Sequence, residues 1–210
     1  MRRYLGCGLI LSALVGWSAP RASAQEIRLR AGQAWPDQSL LGNPQGFGID
    51  VGRSFDRVGV RLGVEVYGDD FASFGSTCVG LIPPDEECAP EQRDDESYTR
   101  ALTFQTPIRA LSLGRAELSL VPGVRVSWIG NEQTGRTTGR TLDADEVMFG
   151  VDLGAEVSLK PVADWPLGVQ VGGSVGLMNA FRNDVILDGY DPFVDSFAVQ
   201  RLHFGMSVAR

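Results

Sequence analysis

The chain holds one histidine, His203, and Ser207 follows it four residues on. A histidine and a serine on one face are the raw material of a nucleophile and its base. In an extended strand, though, four residues span roughly 13 Å, beyond the reach of a nucleophile–base hydrogen bond. A serine from another strand is the remaining way to complete such a pair, and the simpler role for His203 is membership of a buried polar network. Two acidic segments carry oxygen ligands suited to calcium, Asp85–Glu87 and Asp188-Gly189-Tyr190-Asp191. Neither has the spacing of an EF-hand loop, and both read as solvated loop. No catalytic residue, metal site or cofactor is assigned.

Charged residues of both signs recur at alternate positions within otherwise apolar runs: Arg28, Arg30, Asp50, Arg61, Glu65, Arg125, Asp152, Glu156 and Arg201, with His203 among them. The formal net charge is −7, which argues against a nucleic-acid partner, since such a partner calls for a basic face. Apolar residues make up 43% of the chain. No internal apolar run reaches the length of a membrane helix, so any membrane-spanning structure must be a barrel.

The elements that carry these charges are strands. From Val147 to Leu159 apolar residues take every second position, and Leu167, Val169, Val171, Val175 and Leu177 resume that phase, against Gly150, Asp152, Gly154, Glu156, Gly168, Gln170 and Gly172. Period-two alternation of this kind defines a strand with one apolar and one polar or glycine face. Each run meets the about 9–11 residues a tilted membrane strand needs. The break at Pro161–Pro166 is too short for a helical crossover, so the pair is an antiparallel hairpin. The same pattern marks Glu26–Trp35, Gly46–Phe55, Val58–Tyr67, Tyr98–Ile108, Leu118–Ile129 and Ser196–Val208. Pro122 predicts a bulge or a late start in the fifth strand, because proline cannot donate to a ladder.

Eight strands result. The breaks after the odd strands (Pro36–Gln45, Gly68–Ser97, Gly130–Ala144 and Ala180–Asp195) are long and polar, and those after the even strands are short. The fold class is therefore all-β, an eight-stranded antiparallel up-and-down transmembrane barrel with short periplasmic turns and long external loops. A soluble exported barrel, with the apolar set as a core for an apolar ligand, is the rival. Three features favour the membrane form. Outward polar exceptions such as Arg53 lie near strand ends, where long side chains snorkel. The inward face mixes glycine with both signs of charge. Aromatic residues gather near strand ends: Trp35, Phe47, Tyr98 and Trp128 on the long-loop side, Phe55 and Trp165 on the short-turn side, as two interfacial girdles. Eight strands leave a bore just wide enough for side chains, so the inward charges are expected to form a salt-bridge plug, with the inward glycines leaving some space unfilled.

Residues 1–24 read as a cleaved signal peptide: Arg2 and Arg3, an apolar core Leu5–Trp17, and a small-residue site Ala22-Ser23-Ala24. Residues 25–210 are then one barrel domain, with no appended domain expected. The mature chain keeps Cys78 and Cys88. An even pair in an exported chain reads as a disulfide, which in a loop this short contributes about 2–3 kcal/mol. Zinc is the weaker reading, because no histidine is nearby.

The signal ending Ala22-Ser23-Ala24, the Pro122-Gly123-Val124 segment opening a glycine-containing strand, and the last strand His203-Phe204-Gly205-Met206-Ser207-Val208 together resemble the small bacterial outer-membrane β-barrel superfamily of OmpA-like, OmpX-like and OmpW-like proteins. The resemblance covers the whole mature chain. It implies a place in the outer membrane of a diderm bacterium, contact with outer-membrane lipid and handling by the barrel-assembly machinery, which reads the last strand. This chain departs from the family in ending Val208-Ala209-Arg210 rather than on an aromatic residue. Some members of the superfamily modify lipid with a histidine, a serine and a carboxylate, so a lipid-modifying enzyme stands as the alternative. The preferred reading is non-enzymatic: anchorage, a surface role through the external loops toward an unidentified partner, and at most limited passage of small solutes. On the disulfide reading, thiol labelling of unreduced mature protein is expected to find neither Cys78 nor Cys88 free, and labelling at both would remove the bridge.

Overall fold

The computed structural model describes residues 25–37, 41–75, 91–162, 165–180 and 196–209. Residues 1–24, which the sequence reads as a signal peptide, lie outside them, as do Cys78, Cys88, Asp85–Glu87 and Asp188–Asp191. The strands are β1 (Gln25–Pro36), β2 (Gln45–Phe55), β3 (Val58–Gly75), β4 (Glu91–Gln105), β5 (Ile108–Leu113), β6 (Ala116–Gly135), β7 (Thr141–Leu159), β8 (Leu167–Ala180) and β9 (Ser196–Ala209). Every pairing is antiparallel, each stave pairs with its sequence neighbour, and β9 returns to β1. The ring has eight staves, because β4 and β5 are two halves of one. Thr106 and Pro107 interrupt that stave, yet both halves pair with β3 and with β6.

The two prolines explain the interruption. Pro122 is expected from sequence to disturb its own strand, but β6 runs through it in continuous register with β7. The carbonyl of Pro122 accepts from the Thr106 amide at 2.9 Å. In an antiparallel ladder a residue's amide and carbonyl point to the same side, so the donor that Pro122 lacks would have faced the Thr106–Pro107 break. The irregularity lies in the neighbouring stave, where the register also shifts between Arg109 and Leu111.

Register sets the size of the ring. Register partners lead from Glu26 through Gly52, Arg61, Gln105, Gly123, Asp152, Gly176 and Val199 to Pro36. One circuit thus climbs from residue 26 to residue 36 of β1, a stagger of ten residues. Eight staves with such a stagger tilt on the order of 40° and enclose a bore that side chains fill.

The outer face is apolar. Leu29, Leu62, Leu153, Val175, Phe204 and Met206 all point outward and are exposed. Charged residues alternate with them and are buried: Asp50, Glu65 and Arg125 keep 1%, 2% and 2% of their surface. A soluble sheet is patterned the other way, with polar residues facing water. Trp35, Phe47, Phe55, Trp128 and Trp165 are exposed at the ends of the apolar belt.

Strands extend well into two expected loops. The sequence pattern reads Gly68–Ser97 as one long loop, but β3 runs on to Gly75 and β4 begins at Glu91, with Phe71 opposite Asp95. It reads Gly130–Ala144 as another, yet β6 and β7 continue paired as far as Thr134 and Thr141. Beyond the ring, β3, β4, β6 and β7 therefore form a four-stranded sheet. The apolar alternation that marks the lower strands is absent there because polar residues occupy both faces, so a reading keyed to apolar residues sees loop.

Arginine at Val151 or Val171, within the belt, is expected to cost about 2–4 kcal/mol in reversible unfolding from lipid vesicles, and at Trp35, near an interface, about 0–1 kcal/mol. Equal, small costs at all three positions would contradict the lipid-face assignment.

Candidate functional site

The bore holds the inward charges in a layered network. Low in the barrel, Glu156 on β7 is the hub. Arg61 on β3 grips it with two bonds, 3.0 and 3.2 Å. Arg28 on β1 donates to the same carboxylate, to Gln170 at 2.5 Å and to Glu26 at 2.7 Å. Neither β1 nor β3 neighbours β7 in the ring, so these bonds cross the bore rather than run along the wall. His203 on β9 lies with Nε2 3.9 Å from Glu156, an ion-pair distance longer than a hydrogen bond.

A second layer lies above. Arg30 sits along Asp50, with Nε and Nη2 2.6 and 2.7 Å from its two oxygens, and reaches Glu65 at 2.9 Å. Arg125 stands 3.1 Å from Glu65 and donates to Asp152 at 2.6 Å. In the register Asp152 faces Gly123 and Arg125 faces Gly150, so the Arg125–Asp152 bond is diagonal. Arg201 completes the layer with a 2.9 Å bond to Asp152. Among the described residues the two layers join five arginines (28, 30, 61, 125 and 201) to five carboxylates (Glu26, Asp50, Glu65, Asp152 and Glu156). The bore is charge-balanced, which buried ion pairs require.

The inward glycines do more than leave space unfilled. A Cβ on Gly63 would stand 2.0 Å from an Asp50 oxygen, and one on Gly176 would stand 2.0 Å from an Asp152 oxygen. The carboxylates lie across the neighbouring strand in the room that glycine leaves. The space is occupied by the ion pairs, and two cavities near the layers are only about 20 Å³ each, about the volume one water requires.

Above the charges the bore turns apolar, which the alternation did not reveal. Ala34, Tyr67, Ile129, Met148, Met178, Phe197 and Val199 are buried together with Leu41, from the segment between β1 and β2. Among the described residues they pack across the bore from six strands, next to the upper ion-pair layer. Arg201 touches Met178 sulfur at 4.0 Å, where the two regions meet. Met148 and Tyr67 stand in the inward phase of their strands, but charges and glycines identify that phase in the sequence, so its apolar members carry no distinct signal.

The external sheet continues the polar interior beyond this cluster. Its inner face buries Glu91, Arg93, Asp95, Ser97, Asn131 and Gln133. Arg93 donates to Gln133 at 2.7 Å and to Ser73 at 3.1 Å. Glu91 accepts from the amides of Thr137 and Thr138 at 2.7 and 3.1 Å, and so ties the β6–β7 turn to the start of β4. On the outer face Arg136 grips Asp94 through Nε and Nη2, holding that carboxyl below its ordinary range. One outer row places Asp70, Glu96, Glu132 and Asp143 directly opposite one another on adjacent strands.

No family model matches the sequence, and no curated protein matches it. Solved structures do. A major outer membrane protein from Thermus thermophilus superposes with a TM-score of 0.55 at 14% identity, over 90% of this chain and 100% of the other. Ail, the attachment invasion locus protein of Yersinia pestis, solved with the heparin analogue sucrose octasulfate, gives 0.50 at 14% identity, over 90% and 97%. Identities this low speak to the fold alone, and the fold is that of the small outer-membrane β-barrels.

Arg125→Ala removes one of the two arginine partners of each of two buried carboxylates, Glu65 and Asp152, and is expected to destabilise the barrel by about 3–5 kcal/mol. Urea unfolding from lipid vesicles is the measurement. A cost below about 1 kcal/mol would mean that the buried network does not hold the fold.

Proposed function

We propose that this protein is a non-enzymatic barrel of a diderm bacterium's outer membrane, assembled there by the barrel-assembly machinery. Its closed bore serves as an anchor, and its external sheet is the surface on which a partner is met. The observation that carries this reading is the continuation of four strands past the lipid-facing belt as one paired sheet. Four carboxylates placed opposite one another there lower stability, since like charges across a strand pair repel. The row therefore has no role in holding the fold, and it suits a surface that meets something else.

Two arguments support the non-enzymatic, non-conducting part. His203 lies inside the ion-pair layer, and its Nε2 has no hydrogen-bond partner among the described residues. A general base needs such a bond to its nucleophile, and the carboxylate next to His203 is already gripped by Arg28 and Arg61. The bore is crossed at two levels by ion pairs and by the apolar cluster next to them.

Purified mature protein in planar bilayers is expected to give at most small, infrequent conductance steps. A variant with the external sheet replaced by short turns at 69–96 and 131–144 is expected to keep a heat-modifiable barrel. Large, stable open-channel steps from the wild type would replace this reading with a porin-like one, and a trimmed chain that no longer folds would make the sheet part of the scaffold.

A further inference from the structure

On the outside of the barrel, at the upper edge of the apolar belt, lies a groove of about 410 Å³ lined by Tyr98, Arg100, Trp128 and Asp145, with Val147 at its side. Its floor is built by register. Val66, Arg100, Trp128 and Val147 form one outward row. The next row, one pleat further from the membrane, is Gly68, Tyr98, Gly130 and Asp145. Gly130 lets the tyrosine ring lie flat across β6, since a Cβ there would meet the ring at 2.2 Å. The ring reaches the far strand, and its hydroxyl donates to Asp145.

Arg100 stacks over the same ring, 5.4 Å from its centroid, and makes no ion pair among the described residues. It stands beside Trp128 on the face that meets lipid, where its guanidinium donors have no side-chain acceptor among the described residues. An arginine fork matches a phosphate group, and phosphate is abundant at the depth of an aromatic girdle. Asp145 lies one row further out and has one oxygen bonded to Tyr98; the other has no hydrogen-bond partner among the described residues. A headgroup with phosphate alone would satisfy Arg100 but face the Asp145 charge. A headgroup with phosphate first and ammonium beyond it would satisfy both, in the order of depth that the two rows provide.

We propose that this groove seats the headgroup of a surrounding lipid that carries phosphate and ammonium together, the phosphate on Arg100 and Trp128 and the ammonium on Asp145. The proposal rests on the membrane-barrel reading, which sets the outward face in lipid.

The test uses native mass spectrometry of the mature protein in mixed micelles, with phosphatidylethanolamine and phosphatidylglycerol as competing probes and heat-modified migration as the check of folding. Wild-type protein is expected to retain phosphatidylethanolamine in preference. Arg100→Gln should lower retention of both lipids about tenfold, the scale of one or two charge-assisted hydrogen bonds. Asp145→Asn should keep retention and lose the preference. Arg100→Gln retaining lipid as well as the wild type would overturn the proposal and leave Arg100 as an interfacial anchor stacked on Tyr98. Equal retention of the two lipids by the wild type would overturn the ammonium assignment. A mature chain that folds and stays soluble without detergent would instead remove the membrane reading beneath it.

Discussion

The structure depends on one constraint: a charge inside this barrel must be paired inside this barrel. Lipid surrounds the wall, and the bore leaves room for little water, so an unpaired guanidinium or carboxylate has no good alternative. Much else follows. Glu156 is held from β1 and β3 across the bore, which ties together staves that share no backbone ladder. The wall can close only in a register that brings those partners within reach. A slip of one residue on a strand that carries these arginines or carboxylates would turn them toward lipid, so the network fixes the register along with the ladder.

The same constraint explains the composition of the inward face. A bore set by eight staves and a ten-residue stagger is narrow, and five arginines fill much of it. Their partners must then lie flat against the wall. Glycine at positions such as Gly63 and Gly176 provides that room. Above the charge layers no further ion pair is needed, and tyrosine, methionine, phenylalanine and valine fill the bore instead. The barrel thus has polar packing low in its interior and apolar packing near its mouth, with an apolar surface around both.

The lipid-facing half of this design is legible in the sequence because its signal is binary. Val147, Phe149, Val151 and Leu153 alternate with Gly150 and Asp152, and that phase gives strand, face and membrane at once. That Arg125 meets a carboxylate of the next strand is legible too, from neighbouring strands and opposite charges, while the register sets the diagonal reach to Asp152. The external sheet is not. Glu91, Arg93, Asp95 and Ser97 point inward, and Gln92, Asp94 and Glu96 point outward, so hydropathy does not change from one residue to the next. What makes Glu91–Ser97 a strand is its pairing with Phe71 on one side and Gln133 on the other, which is long-range information. Pro122 misleads for a related reason: its cost depends on what faces its missing donor, and here a break in the next stave does. The Tyr98–Gly130–Asp145 row comes from register alone. In the sequence Tyr98 reads only as a girdle aromatic, and nothing local says that Gly130 makes room for its ring.

The claim that cross-bore ion pairs hold the ring closed is tested most directly by a double-mutant cycle on Arg61 and Glu156, with Arg61→Met, Glu156→Gln and the double variant compared by reversible unfolding in lipid vesicles. The account predicts that each single variant is destabilised and that the double costs less than the sum of the singles by more than about 1 kcal/mol, because the second change removes a charge the first had stranded. Additive costs within about 0.5 kcal/mol would contradict it, and would mean that the backbone ladder alone sets the closure of the barrel.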